Sequence, residues 1–215
     1  LDANRSVIVR WDATATSLVD VTGLTVAEAA TLTLPGPSAS LSFPRDVDVA
    51  GKIALPDGAS RSFGLLARNI RLAQGRLIDL TGSSGTPSAL NLSAQSTLIA
   101  LGNLIVAGSD TTALGGGAVT LQSGGRMYLG GTIDASGGDS AAASAAAGGS
   151  ISLAGGIGGV WSTAALKAFG GTGALLGGPG GAVYVGSSGG GVPREIRNSG
   201  AIDVSGGAQS QTGCT

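Results

Sequence analysis

Gly131-Thr132-Ile133-Asp134-Ala135-Ser136-Gly137-Gly138 decides how this chain is read, because it occurs three times with little change. An earlier copy is Gly75-Arg76-Leu77-Ile78-Asp79-Leu80-Thr81-Gly82, and a later one is Gly200-Ala201-Ile202-Asp203-Val204-Ser205-Gly206-Gly207. Weaker copies lie between them, at Gly102-Asn103-Leu104-Ile105-Val106-Ala107-Gly108 and Leu166-Lys167-Ala168-Phe169-Gly170-Gly171. Aligning Ile78, Ile105, Ile133, Leu166 and Ile202 gives steps of 27, 28, 33 and 36 residues. A second phrase accompanies the first: Leu90-Asn91-Leu92, Val119-Thr120-Leu121, Ile151-Ser152-Leu153 and Val183-Tyr184-Val185, at steps of 29, 32 and 32.

Each phrase is an apolar-x-apolar run, the period-two signature of a half-buried strand. Short strands repeated about every 30 residues cannot bury their apolar faces singly, but stacked copies can. Further runs of this kind are Val7-Ile8-Val9, Val19-Asp20-Val21, Leu41-Ser42-Phe43, Val47-Asp48-Val49 and Ile70-Arg71-Leu72. The expected fold is therefore all-β, a right-handed parallel β-helix (β-solenoid) of about seven coils. A helical turn competes only between Leu24 and Leu34, and residues 140–147, although Ala-rich, sit between glycine pairs and read as an exposed loop.

Composition agrees. The 40 glycines lack the three-residue period of collagen, and a net charge of −1 with mean hydropathy +0.35 argues against disorder. Six glycines precede position 80 and thirty follow position 110, so the second half carries the Gly-rich turns. The expected organisation is an N-terminal β region over 1–60 that caps one end, coils over 61–207 with the largest loops at 137–149, 170–181 and 186–193, and a tail over 208–215. Twelve basic against thirteen acidic residues leave no basic field for nucleic acid, and no apolar run is long enough for membrane insertion. The single cysteine, Cys214, cannot form an internal disulfide.

The repeats Gly148-Gly149-Ser150-Ile151-Ser152-Leu153 and Gly131 to Gly138 resemble those of large bacterial surface β-helix proteins of the filamentous-haemagglutinin and autotransporter-adhesin type. The resemblance covers residues 63–207. It implies a secreted or cell-surface location and a structural or adhesive role, with partners among cell-surface proteins, glycans or further copies of the chain. The Asn-Pro-Asn motifs of a two-partner secretion domain do not occur.

Chemistry is thin. With no histidine, Ser-His-Asp and Cys-His catalysis are excluded, and no Gly-Lys-Ser/Thr follows a glycine-rich stretch. No cofactor, metal or catalytic residue is expected, and the chain reads as a non-enzymatic module. The alternative is a glycan-binding or polysaccharide-degrading β-helix. For it, Asp46 and Asp48 beside Arg45 and Lys52 are the best acidic cluster, since residues 111–193 carry only Arg126, Asp134, Asp139 and Lys167. Tyr128, Trp161 and Tyr184 fall in consecutive repeats and are the candidate contacts for a ligand or partner, with Tyr128 and Tyr184 as two exposed rings on neighbouring coils. The position after each inward Ile reads Asp79, Val106, Asp134, Lys167, Asp203, an outward ladder in which Lys167 pairs with both neighbours and Val106 separates two carboxylates. Thr14-Ala15-Thr16 and Thr31-Leu32-Thr33 do not recur in register, so no ice-binding threonine face is expected.

Overall fold

A computed structural model of the chain describes residues 6–8, 23–34, 36–56, 61–75, 77–81, 86–187 and 195–209, with side chains from residue 23 onward. Among these residues there is no helix. All strand pairings are parallel and fall into an 8-stranded and an 11-stranded sheet.

The 8-stranded sheet takes its strands in chain order: Ser6–Ile8, Thr31–Thr33, Lys52–Ala54, Leu77–Asp79, Asn103–Ile105, Thr132–Asp134, Ala165–Lys167 and Ile202–Asp203. Its register column is Val7, Leu32, Ile53, Ile78, Leu104, Ile133, Leu166 and Ile202, at steps of 25, 21, 25, 26, 29, 33 and 36 residues. The column corrects the sequence alignment at one point. Leu104 faces inward (1% exposed), and Ile105 pairs with both Asp79 and Asp134. The run Leu104-Ile105-Val106 is apolar throughout, so period two alone could not choose its face. Hydrogen-bond register to Ile78 and Ile133 does.

The 11-stranded sheet holds two columns joined by long strands. Ser62–Leu72, with a bulge between Ala67 and Asn69, and Ala89–Ala100 span both. One column continues through Ser38–Ser42, Ala118–Ser123, Ser150–Gly155 and Ala182–Ser187. In it Leu90, Val119, Ile151 and Val183 are register partners, as their spacing predicts. The other column holds Leu24–Val26, Val47–Val49, Met127–Leu129, Val160–Ser162 and Ile196–Asn198. Both sheets take strands from 1–60 and from 61–207: Ser62–Leu72 pairs back to Ser38–Ser42, and Leu77–Asp79 to Lys52–Ala54.

From Leu24–Val26 to Ala165–Lys167 alternation buries one face of each strand, as in Val47–Val49, where Val47 and Val49 are buried and Asp48 is not. The inward residues of both sheets merge into one cluster that includes Phe63, Leu90, Leu98, Leu104, Met127 and Leu166. Small aliphatics suffice because stacked strands lie only about 4.8 Å apart, so like side chains touch along the column. Where a helical turn competes, strands Leu24–Val26 and Thr31–Thr33 flank a turn at Glu28–Ala29, with Ala29 at φ 64°. Neighbouring chain decides it: Gly51 N–H donates to Val26 O and Lys52 N–H to Ala30 O, bonds that outweigh helix propensity.

The Gly-rich connections also stack. Gly149 N–H donates to Ala135 O, Ser140 N–H to Thr172 O and Gly207 N–H to Gly178 O. Residues 140–147 are non-helical and largely exposed, as expected, yet backbone bonds tie them to the next loop. Side chains are excluded where loop backbones meet: a Cβ on Gly149 would lie 1.9 Å from Gly117 O, and one on Gly181 2.0 Å from Gly149 O.

Candidate ligand-contact surface

Met127, Leu129 and Val160 fill the core, so period two sends Tyr128 and Trp161 outward between them. Register sets the two aromatics side by side and continues to Arg197. The rings of Tyr128 and Trp161 meet edge to face, with centroids 5.9 Å apart and planes at 70°. On the next strand the Arg197 guanidinium lies 5.4 Å from the Trp161 centroid and is hydrogen-bonded through Nε to Glu195. Arg126 Nη1 donates to the Tyr128 hydroxyl at 3.3 Å. An aromatic pair of this kind contributes about 0.5–1.5 kcal/mol, and an exposed cation–π contact about 0.5–1 kcal/mol. Beside the column runs a surface groove of about 720 Å³, lined by Leu101, Trp161, Thr163, Ile196 and Asn198 among others. It offers apolar edges next to hydroxyl and amide groups, with Arg197 and Glu195 neutralising each other. Such a lining can hold an uncharged, amphipathic ring.

Tyr184 does not join this group. It is 65% exposed in the other column of the sheet, in register with Ser152. The two tyrosines therefore do not form a pair: Tyr128 is half-buried in Trp161's column, and Tyr184 lies in the other. Both sit at x of an apolar-x-apolar phrase, and the sequence does not show that the phrases belong to different columns.

The aspartate ladder is occupied with its own chain. Asp79 Oδ1 accepts from the Thr81 amide at 2.9 Å and hydroxyl at 2.6 Å. Asp134 repeats this with Ser136 at 2.9 and 2.6 Å, and Asp203 with Ser205 at 3.0 and 2.7 Å. Each carboxylate closes the strand end where the chain leaves the sheet, a local turn bond that Asp and Ser/Thr readily make. The signal is the Asp-x-Ser/Thr spacing, readable once the third residue is included. The separator of Asp79 and Asp134 is Ile105 and not Val106, which is fully buried. Lys167 lies in register between Asp134 and Asp203. Among the described residues no ion pair within 4 Å joins it to either. The Asp203 carboxyl is held below the usual carboxylate range, chiefly by the Ser205 amide, then by its hydroxyl, with a smaller attraction from Lys167.

A second aspartate series had no signal in the repeat phrases. Asp110 Oδ1 accepts from Asp139 N–H at 2.9 Å, and Asp139 Oδ1 from Thr172 N–H at 2.5 Å, stitching one loop to the next. The acidic cluster disperses likewise. Asp46 accepts from Asn69 Nδ2 at 2.8 Å, Asp48 meets Arg71 at 3.4 Å, and Lys52 belongs to the other sheet. The Arg71–Asp48 pair is exposed at 62% and 46%, so it is worth at most about 1 kcal/mol. Trp11, Thr14, Thr16 and Cys214 lie outside the described residues.

No protein-family model matches this chain, and no match is found among curated proteins or solved structures.

Proposed function

We propose that the chain is a right-handed parallel β-solenoid of about seven coils that acts outside a bacterial cell as a non-enzymatic structural or adhesive module. One observation carries this reading: eight strands, one per repeat, line up in chain order in one ladder, with seven register steps of 21–36 residues between them. Each step is long enough for a strand in every column plus its corners, which fits a solenoid, where each repeat contacts only its neighbours. The outer surface suits display. In the column from Ser38–Ser42 to Ala182–Ser187 the outward positions are mostly Ser, Ala, Gly, Asn and Thr, and the exposed Arg68 and Arg71 of Ser62–Leu72 lie beyond it, toward the second column.

The last strands support growth by stacking. Ile196 is 44% exposed and Ile202 50%, while their register partners Val160 and Leu166 are both 0%. Ala182–Ser187, Ile196–Asn198 and Ile202–Asp203 each pair on one side only among the described residues. Apolar side chains beside free strand edges are the surface on which a further coil adds, whether from a longer polypeptide or a second copy.

Electron microscopy over a concentration series, together with Ile202→Lys, tests the reading. Elongated particles that lengthen with concentration in the parent and stay short in Ile202→Lys are expected, with a melting temperature changed little because, among the described residues, no strand pairs with Ile202 on its far side. Compact round particles would contradict the solenoid. Turnover of a polysaccharide would contradict the non-enzymatic role.

A further inference from the structure

We propose that the groove beside Tyr128, Trp161 and Arg197 binds an uncharged glycan chain; this rests on the adhesive half of the reading above and gives that role a ligand class and a site. The groove spans three strands of one column, so it runs along the stack and suits a linear ligand. Tyr128 on one side and Arg197 on the other hold the Trp161 indole in one orientation, with 39% of its surface open. Among the described residues its Nε1–H is bonded to no protein acceptor, and it is a donor that a ligand hydroxyl can use. Leu101, 36% exposed, and Ile196, 44% exposed, add apolar edge. Asn198 spends its Nδ2 on Gly200 O and keeps its side-chain carbonyl as an acceptor.

Sugars match this inventory. A pyranose ring carries C–H faces that lie on aromatic and aliphatic edges, and its hydroxyls both donate and accept, serving the indole N–H and the Asn198 carbonyl together. Charge selects the neutral class. Arg197, the charged residue of the lining, is paired with Glu195, and the Arg126 guanidinium beside the lining is turned to the Tyr128 hydroxyl. A groove of about 720 Å³ accommodates a short oligosaccharide.

Titration calorimetry of the chain with a panel of neutral and acidic oligosaccharides tests the site, with tryptophan fluorescence recorded in parallel. Binding of a neutral member with Kd near about 1 mM is expected, together with a change in Trp161 emission. Trp161→Ala should weaken it at least tenfold. Trp161→Phe, which keeps a ring and loses the N–H, should fall between, and Asn198→Ala should cost severalfold. Melting temperatures check that the variants fold. No binding of any neutral glycan, binding of acidic glycans only, or undiminished binding by Trp161→Ala would each overturn the site. Peptide binding in the groove in place of sugar would overturn the ligand class. The two proposals fail separately: rods that bind no glycan remove the site and leave the solenoid, whereas a bound glycan that is cleaved keeps the site and removes the non-enzymatic role.

Discussion

Phe63→Ala should destabilise the chain by about 3–5 kcal/mol, read as a fall in the urea midpoint monitored by circular dichroism. Phe63 has 0% exposure and heads the largest fully buried side chains. Its register partners are Ala39 on one side and Leu90 on the other. Ala39 is too small to fill the void, and Leu90 is fixed by its own fully buried position. Little collapse is available, which places the cost high in the usual range for large-to-small changes. Stability of a domain this size is about 5–15 kcal/mol, so the loss is a sizeable share of the whole. Leu66, on the same strand but 40% exposed, is the control, and Leu66→Ala should change stability by only about 0.5 kcal/mol. Equal effects of the two substitutions would show that Phe63 does not face the core.

Gly149→Ala should cost about 1–3 kcal/mol although it adds a single methyl group. The new Cβ would lie 1.9 Å from Gly117 O and 2.6 Å from Gly116 C, both backbone atoms of the preceding connection. Neither can swing away as a side-chain tip could. Relief requires the strand Ser150–Gly155 to part from Ala118–Ser123, starting with the bond from Ser150 N–H to Gly117 O at 3.0 Å. Amide exchange at Ser150 should accelerate in the variant. Gly186, within Ala182–Ser187, has nothing within 4 Å of its Cβ position, so Gly186→Ala should be near neutral. Similar costs at the two glycines would mean that the loops do not stack as described.

These effects explain which parts of the fold were legible. Val119, Ile151 and Val183 flank polar residues, so alternation fixed both face and register. Leu104-Ile105-Val106 has no polar residue to break the tie, and only hydrogen bonds to the adjoining strands do so. The column through Leu98, Met127 and Val160 was legible in its earlier strands, at Val47-Asp48-Val49 and Ile70-Arg71-Leu72, and weaker later, where its inward positions include Ala100 and Ser162. The buried Ser162 hydroxyl bonds to Ala164 N–H at 3.2 Å, which lets a polar residue take a core position. Of the candidate contacts, Trp161 and Tyr128 could be named from the sequence, but their meeting with Arg197 depends on a step of 36 residues across a glycine-rich connection that no spacing rule predicts.

Distances along one outward column test the proposed solenoid most directly. Ser40, Gly64, Asn91, Thr120, Ser152 and Tyr184 are successive register partners. Pulsed electron spin resonance would be recorded on nitroxide pairs at Ser40→Cys with Ser152→Cys and at Ser40→Cys with Tyr184→Cys, both in a Cys214→Ser background. Four and five strand spacings predict single narrow distances of about 19 and 24 Å, differing by one spacing of about 4.8 Å. Broad distributions, or a Ser40–Tyr184 distance no longer than Ser40–Ser152, would contradict the stacked parallel coil.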